Sequence, residues 1–142
     1  MNNKNHVEGF TLVEVMIVVV VVAILAAVAM PLYVDYIRRG RIPEATATLS
    51  ANRVKMEQWF QDAKTYVDGG ACHVPNSSGH YFDFTCSGVT PAEYIFTATG
   101  KGSMEGFVYT VNQADQKVTR ITGVSGWSGA ASCWVTASAG VC

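Results

Sequence analysis

Charge is scarce in this sequence. Charged residues make up 15% of it and the formal net charge is -1, so bulk electrostatics offers no case for nucleic-acid binding. Histidine is scarcer still, with only His6, His73 and His80. No Ser/His/Asp set, phosphate-binding loop or paired-carboxylate cleft can be argued from what remains. An enzyme is not expected, and neither a cofactor nor a metal is implied. From Val15 to Met30 there is no polar side chain at all, which excludes an ordinary water-facing helix there. With that segment set aside, roughly a hundred residues are left for one domain, a core modest enough to need staples.

What is there begins with that apolar run. Between Phe10 and Met30 only Thr11 and Glu14 interrupt it. At about 1.5 Å per residue a helix over this stretch is roughly 31 Å long, enough to cross a bilayer core. Valine dominates it. Valine is a mediocre helix former in water, but lipid offers the backbone no outside partners, so helix is forced. Three readings compete. A secretory signal peptide would use Ala27-Val28-Ala29 as its cleavage site, yet Glu14 would fall at the head of its apolar region and Glu8 weakens its positive start. A simple membrane anchor explains the length but not Glu14, because an acidic residue in a span costs on the order of 3 kcal/mol and usually has a partner. The third reading is a processed filament subunit.

The stretch "GFTLVEVMIVVVVVAILAAVAMPLY" resembles the N-terminus of type IV pilins and of the related type II secretion pseudopilins. Their pattern is a short leader ending in Gly, then Phe, a glutamate four residues beyond the Phe, and an apolar span with a Pro near its end. Gly9, Phe10, Glu14 and Pro31 match each element. The resemblance implies that a prepilin peptidase removes residues 1–9 by cutting between Gly9 and Phe10, and that the new amine of Phe10 is methylated. It implies a transmembrane and filament-core helix over 10–33. Inner-membrane insertion would come first, with the C-terminal part outside the cytoplasm. The pilus assembly machinery would then draw the chain out of membrane lipid, to pack with other pilin subunits in a surface filament. One departure is Glu8, where the family often has a basic residue.

This accounts for the carboxylate in physical terms. The cut creates a charged amine on Phe10, and residues 10 and 14 share one helical face. A buried carboxylate with a charged partner is tolerable, whereas one left alone is strongly destabilising. The pair can therefore set axial register between packed helices, which assigns Glu14 to assembly. Orientation raises a conflict. Counting Lys4 against Arg38, Arg39 and Arg41 puts the C-terminal part in the cytoplasm. The four cysteines argue the opposite, because disulfides persist outside it.

Beyond the span, residues 34–63 read as helical, with an amphipathic pattern from Pro43 to Ala63. Ala45, Leu49, Met56, Trp59, Phe60 and Ala63 recur at mostly helical spacing, and Asn52 interrupts the row. This stripe is expected to pack on a sheet. Gly40 and Pro43 predict a kink or break, and Pro31 a second weak point. Arg38, Arg39 and Arg41 read as a solvated or headgroup-facing cluster, with DNA binding as the alternative.

Residues 64–142 read as a globular sheet domain. Val67 to Val89 is loop-like, rich in turn formers. Cys72, His73, His80 and Cys86 could supply four zinc ligands, but their spacing matches no common zinc pattern, and a Cys72–Cys86 disulfide closing a surface loop is the plainer reading. "EYIFTATG", "GFVYTVNQ" and "KVTRITG" alternate and are β-rich, giving a three-stranded antiparallel meander. Tyr94, Phe96 and Ala98 are expected on one face of the first strand, and Phe107, Tyr109 and Val111 on one face of the second. A short fourth strand is expected near Cys133-Trp134-Val135. A Cys133–Cys142 bridge would close a small C-terminal loop, which resembles, more loosely, the "CW…C" ending of minor pilins.

The expected fold is thus α+β: a long, partly transmembrane N-terminal helix packed on a small antiparallel sheet, the pilin fold. The expected function is that of a type IV pilin, minor in kind, in a filament serving adhesion, twitching motility or DNA uptake. The alternatives are a secretion pseudopilin and a filament-tip pilin that binds DNA or a surface.

Overall fold

The computed structural model describes residues 9–142. The leader reading for residues 1–9 therefore lies outside the described residues, Gly9 excepted. The chain divides into two compact units, the first ending at Tyr36 and the second running from Ile37 to Cys142. One α-helix, α1 (Leu12–Ala63), begins in the first and ends in the second.

The sequence places a kink or break at Pro43; α1 runs through Pro31, Gly40 and Pro43 as one helix, so the break is absent. A proline removes one intrahelical donor and crowds one turn. Around Pro43 that loss is outweighed by packing: Ile42 and Ala45 are both buried in the core while Pro43 itself faces outward. The helix stops at Ala63 because Lys64 takes a left-handed φ of 57° and its N–H bonds back to the Phe60 carbonyl at 2.9 Å. The Lys64 ammonium caps the Gln61 carbonyl as well.

In the second unit the buried residues of α1 are Ile42, Ala45, Leu49, Asn52 and Met56. Their steps alternate between three and four, one stripe of a helix surface. Asn52 therefore continues the row instead of interrupting it. Trp59 leaves the stripe and stacks on His73, and Phe60 stacks on Tyr66.

The stripe packs with a five-stranded antiparallel sheet in one apolar core. Its strands are β3 (Ser77–Ser78), β4 (Phe82–Ser87), β5 (Ile95–Gly100), β6 (Phe107–Asn112) and β7 (Lys117–Ile121), each paired with the next. A separate hairpin joins β1 (Val67–Asp68) to β2 (Ala71–Cys72) through Gly69-Gly70, both at positive φ, as a tight two-residue turn requires. Side chains alternate across the main sheet. Phe82, Phe84, Phe96, Ala98, Phe107, Tyr109 and Val111 face the helix, and Tyr94 enters the same core just ahead of β5.

Two expectations are corrected. The loop-like stretch Val67 to Val89 holds β4, a strand as long as any in the sheet. Its alternation, Phe82-Asp83-Phe84-Thr85-Cys86, is preceded by Pro, Asn, Ser and Gly, and those turn formers hide it. Conversely, Cys133-Trp134-Val135 is not a strand. Its backbone is held by side chains: Tyr109 donates to the Val135 carbonyl, and Thr119 Oγ1 donates to Cys133 and accepts from the Val135 N–H. A ladder is unnecessary where side chains satisfy the same groups.

Candidate assembly helix and recognition surface

In the first unit every residue from Gly9 to Val34 is exposed. Among the described residues, α1 is the one helix long and apolar enough to cross a membrane. An apolar surface of this extent marks a membrane or protein interaction site. At its head, Glu14 and Thr11 cap the helix reciprocally. Thr11 Oγ1 accepts the Glu14 N–H at 3.2 Å, and the Glu14 carboxylate accepts the Thr11 N–H at 3.4 Å. This is a capping box, with the carboxylate at the positive end of the helix dipole. The signal, Thr-x-x-Glu ahead of an apolar run, stands in the sequence. The bond uses the Thr11 amide, so it is compatible with a chain that begins at Phe10.

The second unit fastens its part of α1 with polar contacts that sequence spacing does not reveal. Glu44 Oε1 accepts the backbone N–H groups of Tyr81 and Phe82, at 2.9 and 3.2 Å, fixing the start of β4. Arg41 bonds to Ser103 and lies over the Tyr81 ring, and Arg39 donates to Ser138. The cluster expected to be solvated is therefore partly committed: Arg39 and Arg41 brace α1 against distant segments of the unit. Further along, the Glu57 carboxylate accepts both the Tyr66 and Tyr94 hydroxyls. Burial, then the neighbouring Glu57, pushes the Tyr94 hydroxyl well above its usual pKa and Tyr66 in the same direction. On the sheet surface, hydrogen bonds from Lys101 and Ser78 hold the Asp83 carboxyl below the usual range.

The cysteines join in two local pairs, Cys72–Cys86 across 14 positions and Cys133–Cys142 across 9. The first pairing leaves no thiolate for the zinc alternative. His73 instead lies flat on Trp59, ring centroids 4.0 Å apart, with Nδ1 at 2.9 Å from Asp68. His80 meets the Tyr81 ring edge-on. Asn76 turns its side-chain carbonyl to the Cys86 N–H. Around the second bridge, Trp134 donates to the Thr110 carbonyl and Lys117 lies over its ring.

A long apolar-headed helix whose far part lies on an antiparallel sheet, with a disulfide-closed C-terminal loop, defines a pilin. Comparisons with known proteins agree. Residues 31–107, just over half the chain, match the family described as "Type IV minor pilin ComP, DNA uptake sequence receptor". Residues 4–30 match the prokaryotic N-terminal methylation motif. Fimbrial protein EcpC of Eikenella corrodens is 30% identical over 102 residues, 70% of this chain and 67% of that protein. A fimbrial protein of Moraxella nonliquefaciens is 38% identical over 65 residues, 46% of this chain and 42% of that protein, so the match spans less than half of that relative's length. Among solved structures, the non-core minor pilin PilV of Neisseria meningitidis superposes with a TM-score of 0.56 at 25% identity, covering 64% of this chain and 94% of that one. The chain belongs to the type IV pilins, in the minor-pilin family that residues 31–107 match.

Proposed function

We propose that this chain is a minor subunit of a surface pilus and acts by assembly, not by catalysis. It crosses the inner membrane once, with Ile37–Cys142 outside the cytoplasm. Prepilin peptidase cuts between Gly9 and Phe10, Phe10 is N-methylated, and the assembly machinery moves the helix from lipid into a filament that serves adhesion, twitching motility or DNA uptake. The observation that carries this reading is the uncovered apolar half of α1. That surface needs lipid first and neighbouring helices later, and Glu14 would meet the Phe10 amine of its own or an adjacent subunit there. Mass spectrometry of sheared filaments tests it. The expected result is a scarce chain that begins at N-methylated Phe10. A mature start at Met30 would restore the signal-peptide reading. A chain abundant in membranes and absent from filaments would favour a pseudopilin.

The description of the matched family supports a second reading, that the exposed unit contacts DNA. Such contact requires cations free to meet phosphates. A mobility shift of short duplexes by the full chain in detergent should weaken steeply with salt. No salt-dependent shift removes this reading and leaves the assembly role intact.

A further inference from the structure

The face of the main sheet turned away from α1 carries a cleft of about 400 Å³, within the range of small-ligand sites. Thr97, Thr110, Gln116, Val118 and Arg120 are among the residues that line it. Arg120 is its one charged side chain, and no carboxylate lines it. Among the described residues the Arg120 guanidinium has no hydrogen bond or ion pair. The strand register explains why: its partner across β6 is Val108, which offers no counter-charge. Two acids of this unit are paired with other cations. Asp115, in the β6–β7 turn, is held by Arg53 and Lys117, and Asp83, on the same face, by Lys101. Thr97 and Thr110 are direct cross-strand partners, and Val118 continues the row. Gln116 Oε1 accepts from Asn112, which leaves its NH2 group unengaged among the described residues.

We propose that this outer-sheet cleft binds a saccharide bearing a single negative charge, a carboxylate or a sulfate, with Arg120 holding the anion. A guanidinium fork matches either group with two parallel hydrogen bonds. Hydroxyl and amide side chains on a rigid sheet suit the many hydroxyls of a sugar, and Val118 with the half-exposed Ile95 offers a narrow apolar strip to a ring C–H face. Nucleic acid fits this cleft poorly. Its backbone repeats a charge at every phosphate, and affinity grows with the number of cations that meet them, whereas this cleft supplies one. The inference does not depend on filament assembly, because the cleft lies wholly within Ile37–Cys142.

The test is saturation-transfer NMR and calorimetric titration of the full chain in detergent. The probes are sialyllactose, lactose sulfate, lactose and a short DNA duplex. Saturable binding of one or both charged sugars is expected, with lactose at least about tenfold weaker and Arg120→Ala weakening the charged sugar about tenfold or more. Sialyllactose as the tighter of the two assigns a carboxylate, and lactose sulfate as the tighter assigns a sulfate ester. Arg120→Lys should recover part of the affinity, since charge stays and the fork is lost. Arg120 is exposed, so an unchanged thermal midpoint checks that the fold survives, and Thr110→Val tests the cleft through a neutral hydroxyl. Equal affinity for lactose, indifference to Arg120→Ala, or no saturable signal up to about 10 mM would overturn the proposal. Displacement of sialyllactose by the duplex, with both lost in Arg120→Ala, would overturn it in favour of nucleic acid.

Discussion

Glu14 carries two physical roles that substitution can separate. One is local: its carboxylate closes the capping box with Thr11. The other is the proposed pairing with a Phe10 amine. Glu14→Ala loses both. The span becomes more apolar, so insertion is retained. Losing the carboxylate's half of the capping box costs about 0.3–1 kcal/mol, because the Thr11 hydroxyl still accepts the N–H of residue 14, and an amine buried unpaired costs about 3–5 kcal/mol. Filament incorporation should therefore fall sharply in Glu14→Ala, and further in Glu14→Lys, which brings like charges together. Glu14→Asp should be intermediate. Glu14→Gln is the discriminating variant, because an amide still accepts the Thr11 N–H but carries no charge. It should incorporate nearly as poorly as Glu14→Ala, better only by what the retained Thr11 contact contributes. The ratio of each variant in sheared filaments to that in membranes is the measurement, and normal incorporation of Glu14→Gln or Glu14→Lys would sink the charge-pairing account.

A second residue-scale expectation concerns Tyr94. Its folded-state pKa lies above the ordinary 10.0, chiefly through burial and then through Glu57. Above pH 10 the unfolded chain releases this proton while the folded chain keeps it. The unfolded state then binds fewer protons, so stability falls as pH rises. Below 10 the contribution is fully present. Alkaline unfolding followed by circular dichroism should begin near that value, and Tyr94→Phe should flatten the pH dependence. An unchanged slope would show that the hydroxyl contributes nothing to it.

At the scale of elements, the helix stripe and the sheet's inner face are one core. Leu49 is fully buried within it. Leu49→Ala should cost about 2–5 kcal/mol by lost burial and cavity formation, read as a lower urea midpoint of the full chain in detergent. Val20→Ala, in the exposed apolar part of the same helix, should leave that midpoint nearly unchanged. Gly129 is constrained by close approach: a Cβ there would lie 2.4 Å from the Thr119 carbonyl oxygen. Just beyond it, Cys133–Cys142 closes the C-terminal loop. Opening that loop with Cys133→Ser and Cys142→Ser together should cost roughly 3 kcal/mol in a chain-entropy description. Four cysteines allow three connectivities. Non-reducing peptide mapping should return Cys72–Cys86 and Cys133–Cys142, and any crossed pair would contradict the structure.

At the scale of the whole molecule, the two units have opposite requirements. Ile37–Cys142 buries its own apolar core. The unit ending at Tyr36 exposes nearly all its apolar side chains and has to be covered by something else. Oxidative footprinting should therefore find Met16 and Met30 shielded in membranes and in filaments alike. Their reactivity should rise severalfold when the chain is stripped of lipid and detergent. Equal reactivity in filaments and in the stripped chain would mean that this part of α1 is not in the filament core.

Some of this was determined by sequence alone, because it depends on contiguous residues. The uninterrupted apolar run from Val15 to Met30 specifies a lipid-compatible helix by composition and length, and the Gly9-Phe10 step with Glu14 carries the resemblance to the pilins. Period-two alternation placed Phe96 with Ala98, and Phe107 with Tyr109 and Val111, on the buried face. The long reach was legible only in three dimensions. Pro43 reads as a break until Ile42 and Ala45 are seen buried on either side of it. Asn52 reads as an interruption until it is found in the buried stripe. Phe82–Ser87 became a strand because β5 and β3 pair with it, and Cys133-Trp134-Val135 did not because Thr119 and Tyr109 satisfy its backbone. Glu44, Glu57 and Arg120 carry no local signature at all. A carboxylate that anchors two amides, one that joins two tyrosines, and a guanidinium left without a counter-charge are defined by neighbours many positions away in the chain, and those neighbours exist only once the sheet has closed on the helix.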